Sequence, residues 1–233
     1  MQTALLILLA ILPGIGICYY IIKADKHEPE DKVNLLIAFV IGAAITYPGL
    51  KLEAWGAGTG LDDPSSIWKT FLLSFGVVAL TEETLKMLAL LGYAFPRRFF
   101  NEPMDGIVYA VMIGMGFATV ENLLYASQME LPTMLVRAFT SVPAHAAFAV
   151  IIGYFTGLAK FDPARKWKYF FRGILFAVLF HGAYDFFILL EIYEGLAGLA
   201  LVGLIISIRY SQKLIALHQN SSPFEILKKE EKE

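Results

Sequence analysis

Charge is scarce in this chain. Of its 233 residues only 17% are Asp, Glu, Lys or Arg, while 57% are hydrophobic, and the mean hydropathy is +0.61. A water-soluble domain carries about a quarter charged residues, so the composition excludes an ordinary soluble globular protein. Cysteine is almost missing. Cys18 stands alone in the first apolar run, which excludes an internal disulfide and leaves the redox compartment unread. No Ser or Cys lies in a nucleophile motif, the HExxH helix of the zincins does not occur, and there is neither an internal repeat nor a low-complexity tract. The net charge of −2 says little about partners, and no nucleic acid is expected among them.

What the chain has is apolar length. Runs near or above the roughly 20 residues that cross a bilayer as a helix recur along it. Seven spans are expected, at about 3–22, 33–50, 70–92, 105–126, 134–159, 171–190 and 195–210. Those starting at 33 and 195 are short and glycine-rich. The fold class is all-α, a polytopic transmembrane helix bundle in contact with the lipid bilayer. Residues 1–217 form one membrane domain, and 218–233 form a short polar cytoplasmic tail. The first run has no basic residue ahead of it and no small-x-small cleavage site, and it stays apolar through Ile22, so it reads as a span rather than a signal peptide.

The basic residues test this topology. With the N-terminus outside, fifteen of the 19 Lys and Arg fall in inner loops or the tail, from Lys23 to Lys232. Lys51 and Lys69 fall outside, and Lys86 and Arg137 fall within spans. Such a bias supports an odd number of spans and places the protein in the cell membrane with its C-terminus in the cytoplasm. Trp55, Trp68 and Trp167 all lie between spans, where interfacial indoles belong.

Ionisable side chains at the bilayer centre cost at least about 2.5–3.5 kcal/mol each, yet seven of them occupy four consecutive spans. Glu82, Glu83 and Lys86 sit in "VVALTEETLKMLALL", Glu121 beside Asn122 in "GFATVENLLY", His145 in "SVPAHAAFAV", and His181 with Asp185 in "LFHGAYDFF". At 1.5 Å per residue, Glu82 lies roughly 18 Å and His145 roughly 17 Å from the outer ends of their spans, and His181 roughly 15 Å from its inner end. All three fall near mid-membrane, and Glu121 somewhat further out. Glu82–Lys86 and His181–Asp185 are i,i+4 pairs; in the second, the carboxylate can fix the imidazole's tautomer. Glu82 and Glu83 differ by about 100° around the helix, so they are expected to face different points and play different roles. Pro143, placed mid-span before His145, is expected to kink its helix and open room for water. Either i,i+4 pair alone reads as a packing staple; seven groups at similar depth read as a buried polar site.

Carboxylates and imidazoles in a wet cavity suit the activation of water. A desolvated Glu becomes a workable base near neutral pH, a histidine holds the water or relays its proton, and amide and imidazole donors stabilise an oxyanion. Two other classes use the same residues. One is a proton- or cation-coupled transporter, although no repeat or pair of broken helices marks such a fold. The other is a metal-dependent membrane hydrolase with Glu82, Glu121, His145 and His181 as a mixed nitrogen and oxygen site. No cofactor is required by the motifs, and a metal stays open.

"EETLK", "FATVEN", "PAHAAFAVIIGY" and "HGAYDF", in that order, resemble the PrsW family of membrane proteases; "DKHEPE" and "DGIVYA" fit it too. The resemblance runs from about residue 10 to 190. That family is similar to the CAAX prenyl endopeptidases, which are glutamate-dependent intramembrane proteases. It implies a membrane-embedded endopeptidase whose partner is a membrane-anchored protein substrate of the anti-sigma-factor type, cut at a first site in a stress response. By position, the resemblance makes Glu82 the water-activating glutamate, with Glu83 and Lys86 supporting it. His181 and Asp185 would orient the water or hold the oxyanion, with Asp185 where the prenyl endopeptidases often have Asn. The wider superfamily has FxxxH in its second motif; four residues after Phe117 this chain has Glu121, followed by Asn122. The expectation is that His145 supplies the missing imidazole.

Overall fold

The computed structural model of the protein describes residues 2–190 and 195–225. Among the described residues the structure is helical, with no strand. Backbone polar groups have no water to pair with in lipid, so each segment satisfies them within itself. The helices are α1 (Gln2–Ala24), α2 (Lys32–Gly56), α3 (Ile67–Phe71), α4 (Leu80–Tyr93), α5 (Pro103–Ala126), α6 (Leu131–Phe139), α7 (Ser141–Phe161), α8 (Lys166–Leu189) and α9 (Ala197–Asn220).

Six helical stretches are long and apolar enough to cross a membrane: Gln2–Ala24, Lys32–Leu61, Pro103–Ala126, Leu131–Phe161, Pro163–Leu189 and Ala197–Asn220. The remaining expected span, 70–92, is the run 67–93, which is α3, a π-helical stretch at Leu72–Ala79, and α4 in succession. Local signals set the ends. Asp31 caps α2, its Oδ1 accepting the Val33 N–H at 2.8 Å and the Asn34 N–H at 3.2 Å. Pro103 opens α5 at the position where its missing N–H costs nothing. The kink expected at Pro143 lies earlier: the chain breaks at Thr140 (φ −122°, ψ −64°), between α6 and α7. Pro143 then falls in the first turn of α7, where no intrahelical donor is lost. Of the expected tail 218–233, residues 226–233 lie outside the described residues.

The bundle is organised around α5, which is buried from Pro103 through Thr119 and packs against α1, α2 and α7. Glycines allow the approach. A Cβ on Gly116 would collide with the Phe39 carbonyl oxygen of α2, and one on Gly106 with the Gly153 carbonyl oxygen of α7. Membrane helices associate by close backbone packing rather than by water exclusion, so these notches select α5 as the centre. The outer surface carries large apolar side chains such as Leu12, Val40, Phe171 and Ile205, as a lipid-facing wall requires.

Candidate active site

The first two turns of α4 bring three charged side chains together. Lys86 follows Glu82 by four residues and Glu83 by three, so both carboxylates reach it. Its Nζ donates to Glu82 Oε2 at 2.8 Å and to Glu83 Oε1 at 2.9 Å. The two glutamates, expected to face different points, thus share one partner. Their Cα atoms are about 100° apart, but the side chains are long enough to converge from either side of Lys86.

The third contact of Lys86 crosses to α7, where Nζ lies 3.1 Å from His145 Nδ1. An ammonium has three N–H groups and no lone pair, so Nδ1 must accept. The proton of a neutral His145 is therefore on Nε2, which faces Glu121 Oε2 of α5 at 3.0 Å. His145 Nδ1 also stands 3.7 Å from Glu82 Oε2. The imidazole thus lies between Glu82 and Glu121.

His181, on α8, faces carboxylates on both sides: Nδ1 is 2.8 Å from Glu83 Oε1 and Nε2 is 3.1 Å from Asp185 Oδ2. Carboxylates accept only, so a ring carrying both protons suits both neighbours. Phe148 stacks on the ring with centroids 4.9 Å apart, and Lys86 Nζ lies 4.5 Å from the centre of the Phe117 ring. Glu82, Glu83, Lys86, His145 and His181 are all buried.

Beside this cluster lies a cavity of about 340 Å³. Glu82, Glu121, His145, His181 and Asp185 border it; Glu83 and Lys86 do not. Two bordering residues were not expected. Arg137, on α6, donates from Nε to Asn122 Oδ1 at 2.9 Å and pairs with Glu121 Oε1 at 3.3 Å through Nη2, which makes no hydrogen bond. Its position inside a span was a visible signal. Glu53 comes from α2, which runs past the expected end at residue 50 through Lys51 to Gly56. No motif marks it, and only a span extended by one turn would have found it.

The donor set has the chemistry of a metal site. Glu82, Glu83, His145 and His181 each offer a ligand atom, and the four atoms lie within 4.8 Å of one another. The expected quartet is corrected in one member, Glu83 standing in place of Glu121, because Glu121 is drawn to the far nitrogen of His145 and to Arg137. Lys86 already bonds three of the four, and its ammonium supplies the positive charge there. With Lys86 in place these residues do not fit a metal ion.

A family profile described as PrsW family intramembrane metalloprotease matches residues 30–210. Relatives named Protease PrsW include that of Bacillus subtilis, 34% identical over 182 residues that cover 76% of this chain and 79% of the relative. That of Geobacillus kaustophilus is 32% identical over 200 residues, covering 84% and 87%. That of Clostridioides difficile is 32% identical over 192 residues, covering 80% of each. No solved structure matches the chain.

Proposed function

The chain belongs to the PrsW family of intramembrane proteases, and on that premise we propose that it cuts a membrane-anchored regulatory protein of the anti-sigma-factor type with water activated by Glu82. The observation that carries this reading is that, of the two adjacent glutamates, only Glu82 borders the cavity. Glu83 is enclosed between Lys86 and His181, where it orders the site without reaching a substrate.

In this reading Glu82 takes a proton from a water molecule in the cavity while the water oxygen bonds to the scissile carbonyl carbon. The carbonyl electron pair moves onto oxygen, and the Arg137 guanidinium, with Nη2 free of hydrogen bonds, stabilises the charge. The C–N bond then breaks, and the proton held by Glu82 passes to the leaving nitrogen. Lys86 keeps a positive charge against Glu82 throughout, and His145 and His181 fix the geometry. No step is routed through a metal, because Lys86 holds the donors. The protein sits in the cell membrane with its N-terminus outside and C-terminus in the cytoplasm, as the distribution of fifteen inner against two outer basic residues supports.

The test is co-expression with a tagged, membrane-anchored anti-sigma factor. Glu82→Gln keeps size and hydrogen bonding but removes the base. General base catalysis contributes about 10²–10⁴-fold, so cleavage should fall by at least about tenfold while the protein still inserts. Cleavage near the wild-type rate would move the base elsewhere, with Glu121 next to be tried.

A further inference from the structure

At the other end of α5, away from the cavity, a second set of carboxylates is buried. Asp105, in the first turn of α5, and Glu102, just ahead of it, are fully buried; Asp25 follows α1 and is 4% exposed. Glu28 and Glu30 lie in the short link between α1 and α2 and are partly buried.

Three of the carboxylates have one oxygen engaged and one left over. Asp105 Oδ2 accepts the N–H groups of Asn101 at 2.7 Å and Glu102 at 2.8 Å, which pins the group and leaves Oδ1 without a partner. Glu30 Oε2 accepts the Tyr109 hydroxyl, leaving Oε1. Glu102 Oε2 accepts the Ser222 hydroxyl, leaving Oε1. Asp25 Oδ1 and Glu28 Oε2 are likewise buried with no hydrogen bond. Ligand atoms of Glu28, Glu30 and Asp105 lie within 4.8 Å of one another. Among the described residues no Lys or Arg forms an ion pair with any of the five. Buried polar atoms are almost always paired, and buried charges are compensated. Five buried carboxylate oxygens without a hydrogen bond, three of them on side chains held by their other oxygens, ask for a positive ion.

We propose that Glu28, Glu30 and Asp105, backed by Asp25 and Glu102, form a binding site for a hard divalent cation of the Mg²⁺ or Ca²⁺ class, separate from the catalytic cavity. The donors are all oxygen, the preference of these ions, and no thiol or imidazole is among them. Glu28 and Glu30 come from the α1–α2 link and Asp105 from α5, and Glu102 is bonded to Ser222 beyond α9. An ion here would therefore tie the beginning, the centre and the end of the chain together.

Mn²⁺ binds the same oxygen donors and is a direct probe. The full chain, purified in detergent micelles and freed of metal with a chelator that is then removed, is titrated with Mn²⁺ while the electron paramagnetic resonance of free Mn²⁺ is followed. The expected result is one site per chain from which Mg²⁺ or Ca²⁺ displaces Mn²⁺. Glu28→Gln and Glu30→Gln should each weaken binding by about tenfold or more, since affinity follows the number of charged ligands. Asp105→Asn alters the group that pins the start of α5; Glu28→Gln touches no hydrogen bond and keeps the test valid if helical content is unchanged. The variant Glu82→Gln/His181→Gln should bind Mn²⁺ as the wild type does. Absence of competable binding up to millimolar Mn²⁺, binding unchanged in both Glu28→Gln and Glu30→Gln, or binding lost in the cavity variant would each overturn the proposal.

Discussion

Lys86→Met removes one charge and leaves two carboxylates behind. In the wild type the ammonium is buried, 3% exposed, with Glu82 (3% exposed) and Glu83 (0%) at 2.8 and 2.9 Å. Methionine fills similar space, so the loss is electrostatic rather than a cavity. Removing one partner of a buried ion pair costs about 3–5 kcal/mol, because the remaining charge keeps its desolvation penalty. For a chain of this size each kcal/mol lowers the melting midpoint by about 2–4 °C, so a fall of about 6–20 °C is expected. The measurement is thermal unfolding of both proteins in the same micelles. A second variant separates charge from shape: Glu83→Gln added to Lys86→Met neutralises the more enclosed carboxylate and should recover part of the loss, as residues in one network do not act additively. Lys86→Arg should not rescue, since a planar five-donor fork does not match three partners around a point. If Lys86→Met melts within about 2 °C of the wild type, the ammonium is not holding this cluster together.

Three further outcomes are expected. Gly116→Ala puts a methyl group against the Phe39 carbonyl, so α2 must move away from α5; overpacking of this kind costs about 1–3 kcal/mol and should appear as a lower melting midpoint. Lys86→Met should gain Zn²⁺ binding through the four donors it uncovers, and a zinc-selective chelator should leave wild-type cleavage unchanged; cleavage abolished by that chelator and restored by Zn²⁺ would show that Lys86 gives way to a metal. A reporter enzyme fused after residue 233 should be active only when its function requires the cytoplasm, and activity on the outer side instead would reverse the topology.

Much of the architecture was legible because lipid leaves few choices. Apolar length alone implies helices, and six stretches meet that length, with the helical run 67–93 standing where the seventh was expected. The polar residues within spans were legible for the same reason: burying them is too costly to be incidental. Spacing could identify the Glu82–Lys86 and His181–Asp185 pairs, which lie within one helix. It could not say which helices are neighbours, so His145 as the imidazole for the glutamate was an expectation without geometry, and its contact with Lys86 from α7 was not foreseen. Angular separation around α4 misjudged Glu83, since the reach of a glutamate side chain outweighs one step of helix rotation. Glu53 escaped because Lys51 looked like the end of a span, although a long basic side chain can reach the interface while its helix continues.

The central position of α5 bears on how the protein is made. Helices enter the membrane in chain order, so α1 and α2 arrive before α5, and α7 arrives after it. The Gly116 side of α5 can dock on α2 as soon as both are in the bilayer. The Gly106 side must wait for Gly153, on a helix not yet synthesised. For that interval lipid tails cover the notch, and the arrival of α7 has to displace them. That later seam is the one that carries His145 into contact with Lys86 and Glu121. Biogenesis therefore withholds the buried charged cluster until the later helices arrive, and a chain halted in the loop after α5 would hold Glu82, Glu83 and Lys86 without His145 or His181 beside them.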